Sequence, residues 1–296
     1  MDSYGKRFGD YLNSVKKMAR NSVNAYVRDL SEFEDYARRR GVVDLKDTTE
    51  SDTAAWLMEL KSGNRSSATI GRKLASVRAF YKYLNHQGVI STNPSVDIKT
   101  PKVVRKEVEY LSIGEIEKLL AQPDDSPKGV RDRAILEVLY ATGMRVTELI
   151  EMDNDDINMR MGFVTMHGSH GKARIIPLGR PARVALEEYI YEGRAKLLRG
   201  KRVKEKALFL NYYGERITRQ ALWKIMRSYA EQAGLNKKLT PQMLRNSFAV
   251  HMIQNGADLK TLQELLGHED IAATQIYLTV SKNKIKAVYD RAHPRA

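Results

Sequence analysis

The chain has 296 residues, 42% of them hydrophobic, which is enough for two domains each with its own core. Fifty Lys and Arg against 36 Asp and Glu leave a formal charge of +14, which points to a polyanionic partner, nucleic acid ahead of a membrane surface. Cysteine is absent, which excludes disulfides, thiolate zinc sites and a thiol nucleophile. The N-terminal residues carry no apolar signal-like run, and no apolar stretch approaches a membrane span, so the cytoplasm is the expected location.

The first hundred residues predict a compact bundle of four or five helices. Val23, Tyr26, Val27, Leu30, Phe33 and Ala37 recur at helical spacing, and Gly41 ends that run. Ile70, Leu74, Val77, Phe80 or Tyr81, and Leu84 mark a second such helix, ending near Gly88, with a shorter one between them at Trp56, Leu57 and Leu60. Asn93-Pro94 and Thr100-Pro101 then disfavour helix. Residues 99–108 are basic and predict an interdomain linker, either lying along DNA phosphates or simply solvated.

A second domain opens with the capping box Ser112-Ile113-Gly114-Glu115. Ala134 to Tyr140 predicts a buried helix interrupted at Gly143. Phe163 to His167 and Arg174 to Leu178 predict a β-hairpin, and residues 207–211 a third short strand. Helices are expected over about 181–198, 219–233, 242–255, 258–266, 270–279 and 282–290.

Four residues in this domain suit attack on a phosphodiester without metal. Arginine offers a planar, permanently charged fork to nonbridging oxygens, and Arg145 and Arg245 are the candidates. His268 can hydrogen-bond the phosphate, although a histidine after Gly267 also suits a helix C-cap. Tyr277 is the candidate nucleophile.

These residues lie in stretches that resemble the tyrosine recombinases of the XerC/XerD group over nearly the whole chain. The matching stretches are Ala141-Thr142-Gly143-Met144-Arg145-Val146-Thr147-Glu148-Leu149, Leu244-Arg245 and Gly256-Ala257-Asp258-Leu259. They continue through Leu265-Leu266-Gly267-His268, Thr274-Gln275-Ile276-Tyr277 and His293-Pro294-Arg295-Ala296. The resemblance implies a mainly α fold: an N-terminal helical core-binding bundle (1–98), the basic linker (99–108), and a mostly helical catalytic domain with a small β-sheet (109–296). It implies that Tyr277 attacks the scissile phosphate to form a 3′-phosphotyrosyl link. Arg145, Arg245 and His268 would hold the phosphate, and Glu148 would orient its neighbours. No cofactor is implied. The implied partners are a double-stranded recombination site and a tetramer on two sites, alone or with a second Xer recombinase. An FtsK-type translocase is a further implied partner. The helix near 282–290 would dock on a neighbouring protomer. A mobile-element integrase shares this chemistry, as does a type IB topoisomerase, and an impaired DNA-binding paralogue shares the fold.

Two departures bear on proton handling. The resemblance implies a general-acid lysine in the hairpin, where this chain reads Gly168-Ser169-His170-Gly171-Lys172. Ser169 occupies the matching position, which leaves Lys172 as the acid, with His170 as an alternative. Three residues before Arg245, where the group has His or Lys, stands Gln242, and Asn246 replaces a frequent His just after it. Gln242 can donate a hydrogen bond to a phosphate but cannot shuttle a proton, a loss worth ~10²-fold in rate. For DNA contacts, Arg65, Arg72, Lys73, Arg78 and Lys82 lie on or beside the second long helix, and Lys102, Arg105 and Lys106 in the linker; the alternative is a solvated face.

Overall fold

A computed structural model of the chain describes residues 3–102, 107–167, 173–198 and 205–278. The chain divides into two compact units, residues 1–106 and 107–296. Among the described residues no helix is long and apolar enough to cross a membrane.

The first unit holds helices α1 (Ser3–Ser14), α2 (Arg20–Arg39), α3 (Glu50–Ser62) and α4 (Ser67–His86). Local chemistry fixes their starts. Thr49 caps α3 through a reciprocal box with Asp52, and the Ser66 hydroxyl accepts from the Thr69 amide. Phe8 and Leu12 of α1 join Leu30, Phe33, Trp56, Val77, Phe80, Tyr81 and Leu84 in one core. Phe33 packs 4.8 Å from Trp56, ring centre to ring centre. The buried Tyr81 hydroxyl donates to the Leu45 carbonyl at 3.0 Å, so this aromatic core leaves that polar tip paired.

The second unit begins with α5 (Ile113–Leu120), started by the Ser112–Glu115 capping box, and α6 (Pro127–Thr142). Helix α6 is the centre of the unit: Val130, Ala134, Ile135, Leu136, Val138 and Leu139 are all buried. After α7 (Val146–Glu151), strands β1 (Ile157–Asn158), β2 (Phe163–His167) and β3 (Ala173–Pro177) form an antiparallel sheet in that order. Then come α8 (Arg180–Glu188), a π-helical turn (Tyr189–Gly193) and α9 (Arg194–Leu198), one run with a widened turn where a single helix was expected. Helices α10 (Arg219–Gln232), α11 (Pro241–Gln254) and α12 (Leu259–Leu266) follow, and residues 272–278 are helical.

The third strand differs from expectation. Residues 207–211 make only isolated bridges, Asp153 with Ala207 and Leu210 with Arg216, and the sheet's third strand is Ile157–Asn158. Side chains and short backbone contacts share the groups that a ladder would need; the Leu208 N–H donates to the Met152 carbonyl and the Ile217 N–H to the Phe209 carbonyl, both at 3.0 Å. The Tyr189 hydroxyl donates to the Leu208 carbonyl and accepts from the Leu210 amide, both at 3.0 Å. Arg131 donates to the Leu210 carbonyl at 2.9 Å, and Arg194 to that of Ala207 at 2.8 Å. Together these satisfy buried backbone without a continuous ladder. The helix expected near 282–290 lies outside the described residues.

Candidate active site

The site assembles at the C-terminal end of α12. The last carbonyls of a helix have no partner within it and carry the negative end of its dipole. Here three successive carbonyls each receive an arginine. Leu265 accepts from Arg174 Nε at 3.0 Å, Leu266 from Arg245 Nη2 at 2.7 Å, and Gly267 from Arg145 Nη2 at 3.0 Å. Three cations from β3, α11 and the start of α7 thereby converge on one helix end.

Each arginine is placed by local structure. Helix α6 ends in the left-handed Gly143 (φ 57°), whose carbonyl accepts from Arg245 Nη1 at 2.6 Å. A Cβ at Gly143 would lie 2.3 Å from Phe248 Cδ1, so glycine is needed there for space as well as for φ. Arg145 is the N-cap of α7, and its backbone N–H donates to Glu148 Oε2 at 2.6 Å. Its side chain is 47% exposed and donates to Glu148 Oε1 at 3.3 Å. Arg174 grips the same carboxylate with both ends of its fork, at 2.8 and 2.9 Å. Burial pushes the Glu148 carboxyl up, but the Arg174 and Arg145 bonds outweigh it and hold it below the ordinary value. Arg245 is 4% exposed. Burial first, and then Arg145, lowers its pKa to about 10.

His268 joins the same cluster. Gly267 (φ 62°) ends α12 in a left-handed turn that sets His268 against Arg245. Arg245 Nη2 lies 2.9 Å from His268 Nε2 and can only donate, so Nε2 accepts. The proton then sits on Nδ1 and donates to Thr274 Oγ1 at 2.8 Å. Burial, then Arg245, Arg145 and Arg174, push the His268 pKa down to about 4. In this arrangement, without DNA, His268 Nε2 faces Arg245 and Nδ1 faces Thr274.

Tyr277 lies in the same neighbourhood but is sheltered. Its ring is 1% exposed, clustered with Phe248, Ala249, Val250, Leu262 and Leu266. Its hydroxyl donates to Asn246 Oδ1 at 3.1 Å, one residue past Arg245 on α11. Burial raises the phenol pKa, with the Arg245 charge opposing. Gln242 is exposed and its Nε2 donates to the same Asn246 oxygen at 3.0 Å. Thus Arg145, Arg245, His268 and Glu148 form one network, and Tyr277 and Gln242 meet at Asn246. Ser169, His170 and Lys172 lie outside the described residues. Arg174 was not among the residues singled out from sequence, although an arginine at an inward-facing position two before buried Ile176 was the available signal.

In the first unit the expected DNA-contacting face needs correction. Lys73 is 5% exposed and bound to Asp29 and Glu32, with Asp29 itself fully buried. Its charge therefore neutralises a buried carboxylate and does not face a duplex. Arg78 donates to the Ser95 carbonyl (3.1 Å), the Ile98 carbonyl and Thr100 Oγ1 (2.7 Å), fastening the chain that follows α4. Arg72 is paired with Asp29 while its side chain stays 42% exposed. Arg65, Lys82 and Lys102 are exposed; Arg105 and Lys106 lie outside the described residues.

Comparison with known proteins bears on this geometry. Residues 109–284 match the model of the phage integrase family, and residues 6–88 that of the phage integrase N-terminal SAM-like domain. The tyrosine recombinase XerD of Listeria innocua serovar 6a is 43% identical over 291 residues, covering 98% of each chain. XerD of Oceanobacillus iheyensis is 41% identical over 98% of this chain and 97% of its own. Among solved structures, the XerH site-specific recombinase bound to palindromic difH substrate, in a post-cleavage complex, aligns with a TM-score of 0.77. It is 23% identical and the match covers 96% of this chain and 84% of that one, a likeness of fold.

Proposed function

The chain belongs to the phage integrase family, and from that premise we propose an Xer-type site-specific recombinase that cuts and rejoins DNA through Tyr277. The observation that carries this reading is the convergence of Arg145, Arg174 and Arg245 on one helix end, with Tyr277 hydrogen-bonded one residue beyond Arg245. A phosphodiester resists attack because its own charge repels nucleophiles, and a guanidinium cluster removes that repulsion while stabilising the added charge of the transition state.

In this reading the Tyr277 oxygen bonds to phosphorus as the bond to the 5′-oxygen breaks. The phenol gives its proton to solvent water, and the leaving 5′-oxygen gains one from Lys172, the proposed general acid. A 5′-hydroxyl of a partner strand then attacks the 3′-phosphotyrosine and restores the phosphodiester. The bond energy is retained in the covalent intermediate, so strand exchange needs no external energy source. Exposed Arg145 is the first group to meet the phosphate. Arg65, Arg72, Lys82, Lys102, Arg105 and Lys106 supply phosphate contacts elsewhere, and domain limits of 1–98 and 109–296 flank the linker. The assembly is a tetramer on two sites, alone or with a second Xer recombinase. It acts on the nucleoid in the cytoplasm in chromosome dimer resolution, under an FtsK-type translocase.

The burial of Tyr277 favours one second reading, a DNA-binding accessory that does not cleave. The two separate as follows. A duplex selected from a randomised pool by binding to the full chain is nicked in its centre, incubated with protein and run on a denaturing gel. A covalent adduct that disappears in Tyr277→Phe is expected. Tight binding without adduct overturns the recombinase reading in favour of the accessory one.

A further inference from the structure

The two departures at 242 and 246 meet in space. Asn246 Nδ2 donates to the Glu109 carbonyl at 2.9 Å. A carbonyl can only accept, so this contact fixes which way the amide points, with Oδ1 turned to the other side. That oxygen has two donors, Tyr277 Oη at 3.1 Å and Gln242 Nε2 at 3.0 Å. Gln242 lies one turn before Asn246 on α11, where side chains four apart meet. Every polar atom of the Asn246 amide that bears on Tyr277 is therefore set by another group.

We infer that Asn246 is the positioning residue of the nucleophile, and that Gln242 and Asn246 act as one amide pair that sets the Tyr277 hydroxyl beside Arg245. The inference rests on the recombinase reading above. Apolar packing holds the Tyr277 ring, and the hydrogen bond at its oxygen adds the directional hold that packing alone does not supply. An amide oxygen accepts the phenolic hydrogen bond but takes no proton at neutral pH, so the pair orients Tyr277 without serving as its base. Gln242 thereby acts through Asn246, with one Nε2 hydrogen committed to placing the nucleophile.

The test measures single-turnover adduct formation on the selected duplex, beside DNA affinity and thermal melting, for wild type, Asn246→Leu, Gln242→Leu and the double variant. A second duplex carries sulfur in place of the 5′-bridging oxygen at the mapped cleavage position. A thiolate leaves without needing a proton, so this substrate rescues faults in proton delivery and does not rescue faults in nucleophile placement. Asn246→Leu should bind DNA as wild type does and form adduct roughly tenfold more slowly on both substrates, the scale of one lost hydrogen bond. Gln242→Leu changes an exposed position, so folding is not at issue, and should show a smaller loss that the sulfur substrate does not repair. The double variant should be no slower than Asn246→Leu alone. Adduct formed by Asn246→Leu at or above the wild-type rate overturns the inference. So does rescue of Gln242→Leu by sulfur, or multiplication of the two defects. If wild type itself forms no adduct on either duplex, the recombinase reading fails and takes this inference with it, which is a distinct result.

Discussion

Arg174→Met keeps the aliphatic stem and removes the fork that holds Glu148. Arg174 is 14% and Glu148 9% exposed at the side chain, and the two bonds are 2.8 and 2.9 Å, so the carboxylate loses its best partner while staying buried. Breaking a pair of this kind by removing one member costs about 3 kcal/mol, the low end of the usual range because the Arg145 contacts still face the carboxylate. For a unit of this size that lowers the melting temperature by about 9 °C. The penalty has a pH signature whose sign is fixed. In the wild type the Glu148 pKa lies below 4.5, so its contribution is present above 4.5 and is lost as the pH falls through the lower folded value. In the variant burial is opposed only by the Arg145 contacts, so the folded pKa lies above the wild-type value and the buried charge is shed sooner as the pH falls. The gap between variant and wild type should therefore narrow from pH 7 to pH 4. Thermal melts of the second unit's transition, followed across that range in a His268→Gln background, measure it. A gap that stays constant with pH would show that the loss is packing and refute the electrostatic argument.

Gly143→Ala should destabilise the second unit by about 3 kcal/mol, the sum of left-handed strain and overpacking, because its Cβ meets Phe248. It should also slow adduct formation by shifting the carbonyl that holds Arg245; wild-type melting and cleavage would contradict this. His268 has a folded pKa of about 4 against an ordinary 6.5, so its contribution is complete above 6.5 and drains away as the pH falls to about 4. Denaturant melts should show that loss in the wild type and a flatter profile in His268→Gln; equal profiles would refute it. Lys172→Ala should slow cleavage by ~10²-fold on ordinary DNA and recover on the bridging-sulfur duplex. A defect that sulfur leaves unrepaired would remove Lys172 as the acid.

Helix periodicity and capping boxes were readable in the chain because they are local. Ser112–Glu115 and Gly143 mark their helix ends by chemistry confined to a few residues. Helix α1 was not singled out, since its apolar residues Phe8 and Leu12 are few and become decisive only against Phe80 and Tyr83. The strand at 207–211 was misread because an apolar run gives no account of who binds its backbone, and here Tyr189, Arg131 and Arg194 do. Lys73 and Arg78 looked like a basic face because a buried acid such as Asp29, forty-four positions away from Lys73, is invisible to helical spacing. In the candidate site, ordered stretches of sequence pointed to Arg145, Arg245, His268 and Tyr277, which the fold brings into one neighbourhood. The protonation of His268 was not legible, since it follows from burial and three neighbouring cations that only the fold brings together.

That gathering of cations also explains how the site persists before DNA arrives. Three arginines and the carboxylate of Glu148 leave a local charge of +2 (3 − 1), in a region where Arg245 is almost wholly buried. Such a cluster would repel itself apart without compensation. The compensation is neutral: the end of α12 presents carbonyls 265, 266 and 267 to the three guanidiniums, and His268 stays uncharged. Carbonyl dipoles hold the arginines in register yet leave the net charge unspent, whereas three carboxylates would have cancelled it. In the proposed reaction a phosphodiester oxygen entering beside Arg145 meets a field already arranged, and the reorganisation that a solvent-exposed cluster would require has been completed by folding.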